Sequence, residues 1–303
     1  MGEFFKKSMK ILVTGALSAG SFTLQDGAKS PLLKSDKDFV AEQTINANKQ
    51  EEVLTPDELI KDQISKIKEI IESRRYKEIL SNHYLAYSIY YSESFLRKIS
   101  DPSKQETASE KIIGSIAPFI TPEFREQAIL FLAEETKKGE ALGGNKISTY
   151  QVLPLKNYNL GTGFNHLDAI DLFGEELSPV HSMSDGLVII ADNGWNADDE
   201  LSTSSEEGGN TVVIFNYLTG EFYRYAHLHE VMVMPGDLVT AGQSLGTLGH
   251  TGGNASKPGH GKHLHLEINK YSKDKYSKDN KNTNHLLKDI ELRGILKKLK
   301  YTR

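Results

Sequence analysis

From Thr55 onward, apolar residues recur at three- and four-residue intervals: Leu59, Ile60, Ile64, Ile67, Ile70 and Ile71. That spacing predicts an amphipathic helix. Thr55-Pro56-Asp57-Glu58 marks its start, with a capping hydroxyl, proline at the first helical position and a glutamate three residues after the cap. A second helical segment carries Ile79, Leu80, Tyr84, Tyr87, Tyr90, Tyr91 and Phe95 and stops before Asp101-Pro102. Its tyrosines form a stripe whose default reading is helix packing, with a binding surface as the other reading. Thr121-Pro122-Glu123 opens a third helix that runs through Ala128–Leu132 to Lys138-Gly139.

After Gly143-Gly144 the period changes. Extended structure is expected from Tyr150, then strands at Gly186–Ala191, Thr211–Phe215, Glu221–Tyr225 and His263–Ile268. Between the first two strands, Asp192–Asn210 holds six carboxylates and no Lys or Arg. A solvated loop is the default there; attraction of a cationic substrate is the alternative. Residues 271–303 are basic, ten Lys/Arg against four Asp/Glu. Their first half is low in apolar content, and Leu286, Leu287, Ile290, Leu292, Ile295, Leu296 and Leu299 predict a terminal amphipathic helix. Docking on its own protein is the default for this helix, and contact with an anionic envelope surface the weaker reading.

The expected class is therefore α+β: a helical region at 55–145, a strand-rich region from about 150, and a tail at 271–303 ending in a helix. Residues 22–54 read as a polar linker. Lys6, Lys7 and Lys10 precede a short apolar run ending in small residues at 19–21, the grammar of an export signal over residues 1–21. A disordered tail is the alternative there. No apolar run reaches 18 residues, so no transmembrane span is expected. The formal charge of −5 argues against nucleic acid as a partner. With no cysteine, disulfides and thiolate-ligated metals are excluded.

The chemistry concentrates around His263-Leu264-His265. On a strand the two imidazoles share a face about 6–7 Å apart, the placement for a metal ligand beside a proton-handling group. A hydrogen-bonded polar strand face is the plain alternative. Upstream stand Phe164-Asn165-His166-Leu167-Asp168-Ala169-Ile170-Asp171, then Pro179-Val180, Ser184-Asp185-Gly186, Tyr225-Ala226-His227-Leu228, Gly236-Asp237-Leu238-Val239 with Gly242-Gln243, and Gly249-His250-Thr251-Gly252.

This ordered string resembles the lysostaphin/LytM-type zinc metallopeptidases, which cleave peptide bridges of bacterial cell walls. The resemblance covers about residues 150–270. It implies a mostly antiparallel β domain of LytM type at 150–270 with its site in an open groove, and one zinc ion per chain on His166, Asp171 and His265. His263 and His227 are then the unligated catalytic histidines. The implied activity is that of an endopeptidase on peptidoglycan crosslinks, and the implied setting is the periplasm or cell envelope. One departure is visible: the family's first histidine stands four residues before the aspartate, whereas His166 stands five before Asp171, and Leu167 holds the usual place. A bulge would absorb the extra residue. The Pro179-Val180 spacing favours Asp171 over Asp168 as the family aspartate.

Two other readings compete. A LytM-like module without activity would dock and activate a cell-wall amidase, but such modules lack some of these side chains. A two-histidine, one-carboxylate iron site built from His166, Asp168 and His265 would leave His263 and Tyr-Ala-His-Leu without a role. His229, His250, His181 and His260 read as rim, turn or filler, and His83 and His285 have no metal partners nearby in sequence. The helical region carries no recognised chemistry; its pattern and position make it a candidate for docking an envelope protein partner or for regulation.

Overall fold

The computed structural model describes residues 55–105, 107–161, 168–195, 208–253, 255–273 and 282–301. The expected leader and linker, most of the acidic loop, and His166 lie outside them.

Helix α1 spans Pro56–Glu72 and starts where the sequence marks it. The Thr55 hydroxyl accepts from the Glu58 amide while the Glu58 carboxylate accepts from the Thr55 amide, so two orphan donors of the first turn are satisfied reciprocally. The second expected segment is broken. A short 3₁₀ turn at Tyr76–Leu80 is followed by α2, His83–Tyr90, and α3, Glu93–Ile99. The break falls at Tyr91, which is extended, because Ser92 caps α3 through the Phe95 amide. A helix not read from the sequence, α4, spans Ala108–Ile116 and carries its own capping box, Thr107 with Glu110. Helix α5 covers Pro122–Ala141.

The β part is antiparallel throughout. Its strands are β1 Asn159–Leu160, β2 Ile170–Phe173, β3 Pro179–His181, β4 Gly186–Asp192, β5 Asn210–Asn216, β6 Glu221–Val231, β7 Leu238–Val239, β8 Ser244–Leu248, β9 His263–Lys273 and β10 Asn282–Leu286. The main order is β1-β2-β9-β6-β5-β4-β7, with β10 on β9, and β8 joining β3 and β6. Asn282–Leu286 form a strand by backbone pairing along β9, so Leu286, expected in the terminal helix, lies in β10, and that helix, α6, starts later, at Asp289–Tyr301.

Alternation along β9 sorts the two faces. Leu264, Leu266 and Ile268 join a core with Leu172, Val180, Tyr225, Leu245, Leu248 and, from α6, Leu292 and Leu296. The opposite face carries His263, His265, Glu267 and Asn269. On neighbouring strands, Arg224 is paired with Glu267 and Phe222 with Asn269. Phe222, Phe215, Val213 and Leu187 pack against Tyr87, Ile89, Tyr90 and Leu132 of the helices in a second core. The helical layer thus covers one part of a sheet face, and the histidines stand on the part beyond it.

Helix α2 is tied to this face at its C-terminal end. The buried Arg125 donates to the carbonyls of Ser88 and Tyr91, a cation on the negative end of the helix. Asn269 of β9 donates to the Tyr90 carbonyl. At the other end, largely buried His83 has an Nε2 without a partner among the described residues. Burial pushes its imidazole down to about 4. The unfolded chain takes up that proton near pH 6.5, so the contribution is complete above that pH and is lost as pH falls towards 4. Urea unfolding between about pH 7 and about pH 5 should show a stability slope approaching 1.4 kcal/mol per pH unit from this group, absent in His83→Gln. Equal slopes in the two proteins would contradict it.

Candidate active site

Three strands position the site. β9 lies between β2 and β6, and both Asp171 and Ala226 are paired with His265. Directly paired residues share a face, so register alone sets the Asp171 carboxylate beside the His265 ring. The His265 Nδ1 is 2.9 Å from Asp171 Oδ1, and its Nε2 is 2.9 Å from Glu267 Oε1. His263, one alternation away, has its Nε2 3.8 Å from the same Asp171 oxygen.

His227 arrives by a different device. It follows Ala226, so simple alternation would turn it to the opposite face with Tyr225. Its φ is instead +64°, in the left-handed region. There β6 leaves β9 and continues against β8, with a register shift between Leu228 and Glu230. The left-handed residue swings the ring onto the histidine face, with centroids 4.8 Å from His263 and 5.6 Å from His265. Such a conformation costs of order 1 kcal/mol or more in a non-glycine residue and concentrates at functional sites. Its backbone amide donates to the Gly208 carbonyl, and its ring Nδ1 to the Thr251 carbonyl at 2.7 Å. Gly209 permits that approach: a Cβ on it would lie 2.3 Å from the Thr251 carbonyl carbon.

The tautomers follow from these partners. A carbonyl only accepts, so the Nδ1 of His227 and the Nδ1 of His263, 3.1 Å from the Gly261 carbonyl, both carry hydrogen. In the neutral form of each ring the lone pair is then on Nε2. Burial, with His265 and His263 nearby, lowers the His227 pKa to about 3 and keeps the ring neutral. For His265, burial opposes protonation, but the hydrogen bonds to Asp171 and Glu267 outweigh it and raise its pKa.

Glu267, which the sequence reading passed over, is the third same-face residue in His263-x-His265-x-Glu267. Its carboxylate accepts from His265, from Arg224 Nη1 and from the Tyr90 hydroxyl of α2. Burial raises its pKa, and Arg224, His265 and Tyr90 together more than reverse that, so it stays ionised.

Asp171 and His265 would supply two ligands of a metal ion; among the described residues no group of three or more His, Asp or Glu is arranged to hold one. With its Nε2–H kept on the Glu267 carboxylate, His265 would release the Nδ1 proton it shares with Asp171 on binding a metal, the carboxylate–histidine arrangement that orients metal-binding imidazoles. The 2.9 Å between Nδ1 and Oδ1 compares with about 3.4 Å between two ligand atoms of a tetrahedral zinc site. The structure therefore brings together four of the five expected residues, Asp171, His263, His265 and His227; His166 lies outside the described residues. The three histidines are 6–9% exposed. Asp168 is exposed, and Asp171 is the aspartate that meets His265. His229, His250 and His260 are exposed, and His250 pairs with Glu176 instead.

Residues 165–279 match the family model of peptidase family M23. The match overlaps the stretch whose sequence resembles the lysostaphin/LytM-type peptidases. Solved structures similar to the chain include lysostaphin from Staphylococcus simulans, 23% identical over 52% of this chain and 58% of that one, TM-score 0.35. A zinc-containing peptidase from Vibrio cholerae is 28% identical over 41% of this chain and 36% of that one, TM-score 0.30. The catalytic domain of a prophage-encoded M23 protein from Enterococcus faecalis is 23% identical over 46% of this chain and 90% of that one, TM-score 0.27. The chain thus spans little more than half the length of lysostaphin. None of the curated proteins matches it. The M23 segment contains Asp171, Arg224, His227, His263, His265 and Glu267 and excludes helices α1–α5.

Proposed function

We propose that the chain is a zinc-dependent endopeptidase that hydrolyses peptide crosslinks of bacterial peptidoglycan. The observation that supports this most is the convergence of Asp171, His265, His263 and His227 on one sheet face within the M23 segment. His166, Asp171 and His265 would hold one zinc ion. Bound there, zinc supplies a water whose pKa is brought towards about 7. His263, with the lone pair on Nε2 beside Asp171, is placed to accept a proton from the attacking water. His227 is the second candidate for that step; once protonated it can donate from Nε2 to the oxyanion developing on the scissile carbonyl. The left-handed backbone at His227 is the strain that this placement carries.

The enzyme would act outside the cytoplasm, in the periplasm or cell envelope; among the described residues no helix is long and apolar enough to cross a membrane. The helical region is a candidate surface for an envelope protein partner.

Mass spectrometry of muropeptides released from purified sacculi, with and without chelator, tests the reading. New cleaved crosslinks that vanish with chelator and return with zinc support it. Zinc-loaded protein that releases nothing would instead favour the amidase-activating regulator. His263→Ala should keep zinc and lower turnover by about 10²–10⁴-fold, the range for a lost proton-transfer group. Zinc loss in that variant would make His263 a ligand and refute its assigned role.

A further inference from the structure

We infer that Tyr90, on helix α2 outside the M23 segment, is a positioning residue for His265, so that the helical layer completes the metal site. The inference rests on the metal reading of Asp171 and His265 proposed above.

Glu267 is the connector. Its Oε1 is shared: His265 Nε2 and Arg224 Nη1 both donate to it. Its Oε2 accepts from the Tyr90 hydroxyl. The last torsion of a glutamate side chain is broad, so two donors on one oxygen leave the carboxylate plane able to turn. The hydroxyl on the second oxygen fixes that plane, and with it the direction from which His265 is held.

Tyr90 is itself immobilised. It is fully buried, its ring packs edge-on to Phe222 at 6.1 Å, and its carbonyl accepts from Asn269. Helix α2 therefore grips β9 at two successive same-face residues, Glu267 and Asn269. The first of them is one alternation from the metal-facing histidine. A tyrosine whose hydroxyl merely satisfied a buried carboxylate would stabilise the chain without touching metal affinity. A positioning residue must change that affinity, and must do so through Glu267.

The test uses the full-length chain and zinc alone. Zinc dissociation constants are measured by competition with a chromophoric chelator for wild type, Tyr90→Phe, Glu267→Gln and the double variant, with circular dichroism as the folding check. Tyr90→Phe and Glu267→Gln should each weaken zinc binding by about 10–100-fold, the range for residues that orient metal ligands. The double variant should be no weaker than Glu267→Gln. The visible spectrum of Co²⁺-loaded Tyr90→Phe should differ from wild type, reporting a reoriented ligand. Wild-type zinc affinity in Tyr90→Phe, or effects that add fully in the double variant, would overturn the inference while leaving the metal site standing. If Tyr90→Phe does not fold, unchanged zinc affinity in Glu267→Gln overturns it equally. A wild type that binds no zinc overturns both this inference and the metal reading.

Discussion

Asp171→Asn and His265→Ala are each expected to lose zinc and peptidase activity together, with activity falling about 1,000-fold or more. The magnitude follows from the nucleophile: without the metal, the attacking water returns from a pKa near 7 to about 15.7. Asp171→Asn is the cleaner variant. It keeps the side chain's shape and its place opposite His265 in the β2–β9 register, and removes only the charge. His265→Ala also takes a ring from between the Asp171 and Glu267 carboxylates, so lower stability should accompany its metal loss. Zinc content after desalting and crosslink cleavage, measured on the same samples, check the expectation. Either variant retaining stoichiometric zinc would remove that residue from the ligand set.

The second large effect falls on stability. Arg224 and Glu267 form an ion pair whose side chains are 9% and 13% exposed. Arg224→Met should destabilise the chain by about 3–5 kcal/mol, because it strands a carboxylate that burial already penalises. The pH dependence has a definite sign. In the wild type the Glu267 pKa is held below its ordinary value, so its contribution is present above about pH 4.3 and is lost as pH falls below that. In Arg224→Met burial dominates and the carboxyl protonates more readily, so the variant loses less on acidification. The gap between the two proteins, read from urea midpoints, should be widest near neutrality and narrow below about pH 4. A gap that widens on acidification would contradict this account.

What could be read from the chain and what could not divide along physical lines. Local signals were legible: the Thr55–Glu58 cap, the apolar spacing of α1 and α5, and the alternation of β9. The antiparallel β architecture and the family likeness followed from an ordered string of strand and turn residues. The box that caps α4, Thr107 with Glu110, is the same kind of signal and was there to be found. Glu267 also had a signal, since it continues the parity of His263 and His265.

Other features depend on distant contacts. Tyr90 and Glu267 are 177 residues apart, and helical spacing shows that a tyrosine is buried without showing what its hydroxyl meets. The break between α2 and α3 leaves backbone carbonyls that Arg125 satisfies from another helix. The face of His227 could not be read at all: alternation gives the wrong side, and only a left-handed residue where β6 changes partners gives the right one. The strand at Asn282–Leu286 pairs by backbone, which a pattern of side chains does not announce.

His166, Asp171 and His265 are proposed to hold one zinc ion and to leave a position for water. X-ray absorption at the zinc edge of the zinc-loaded chain tests this most directly. One zinc per chain is expected, with four nitrogen or oxygen neighbours at about 2.0–2.2 Å and outer-shell scattering from two imidazoles that drops to one in His166→Ala. A zinc site with one imidazole in the wild type, or with two still present in His166→Ala, would contradict it.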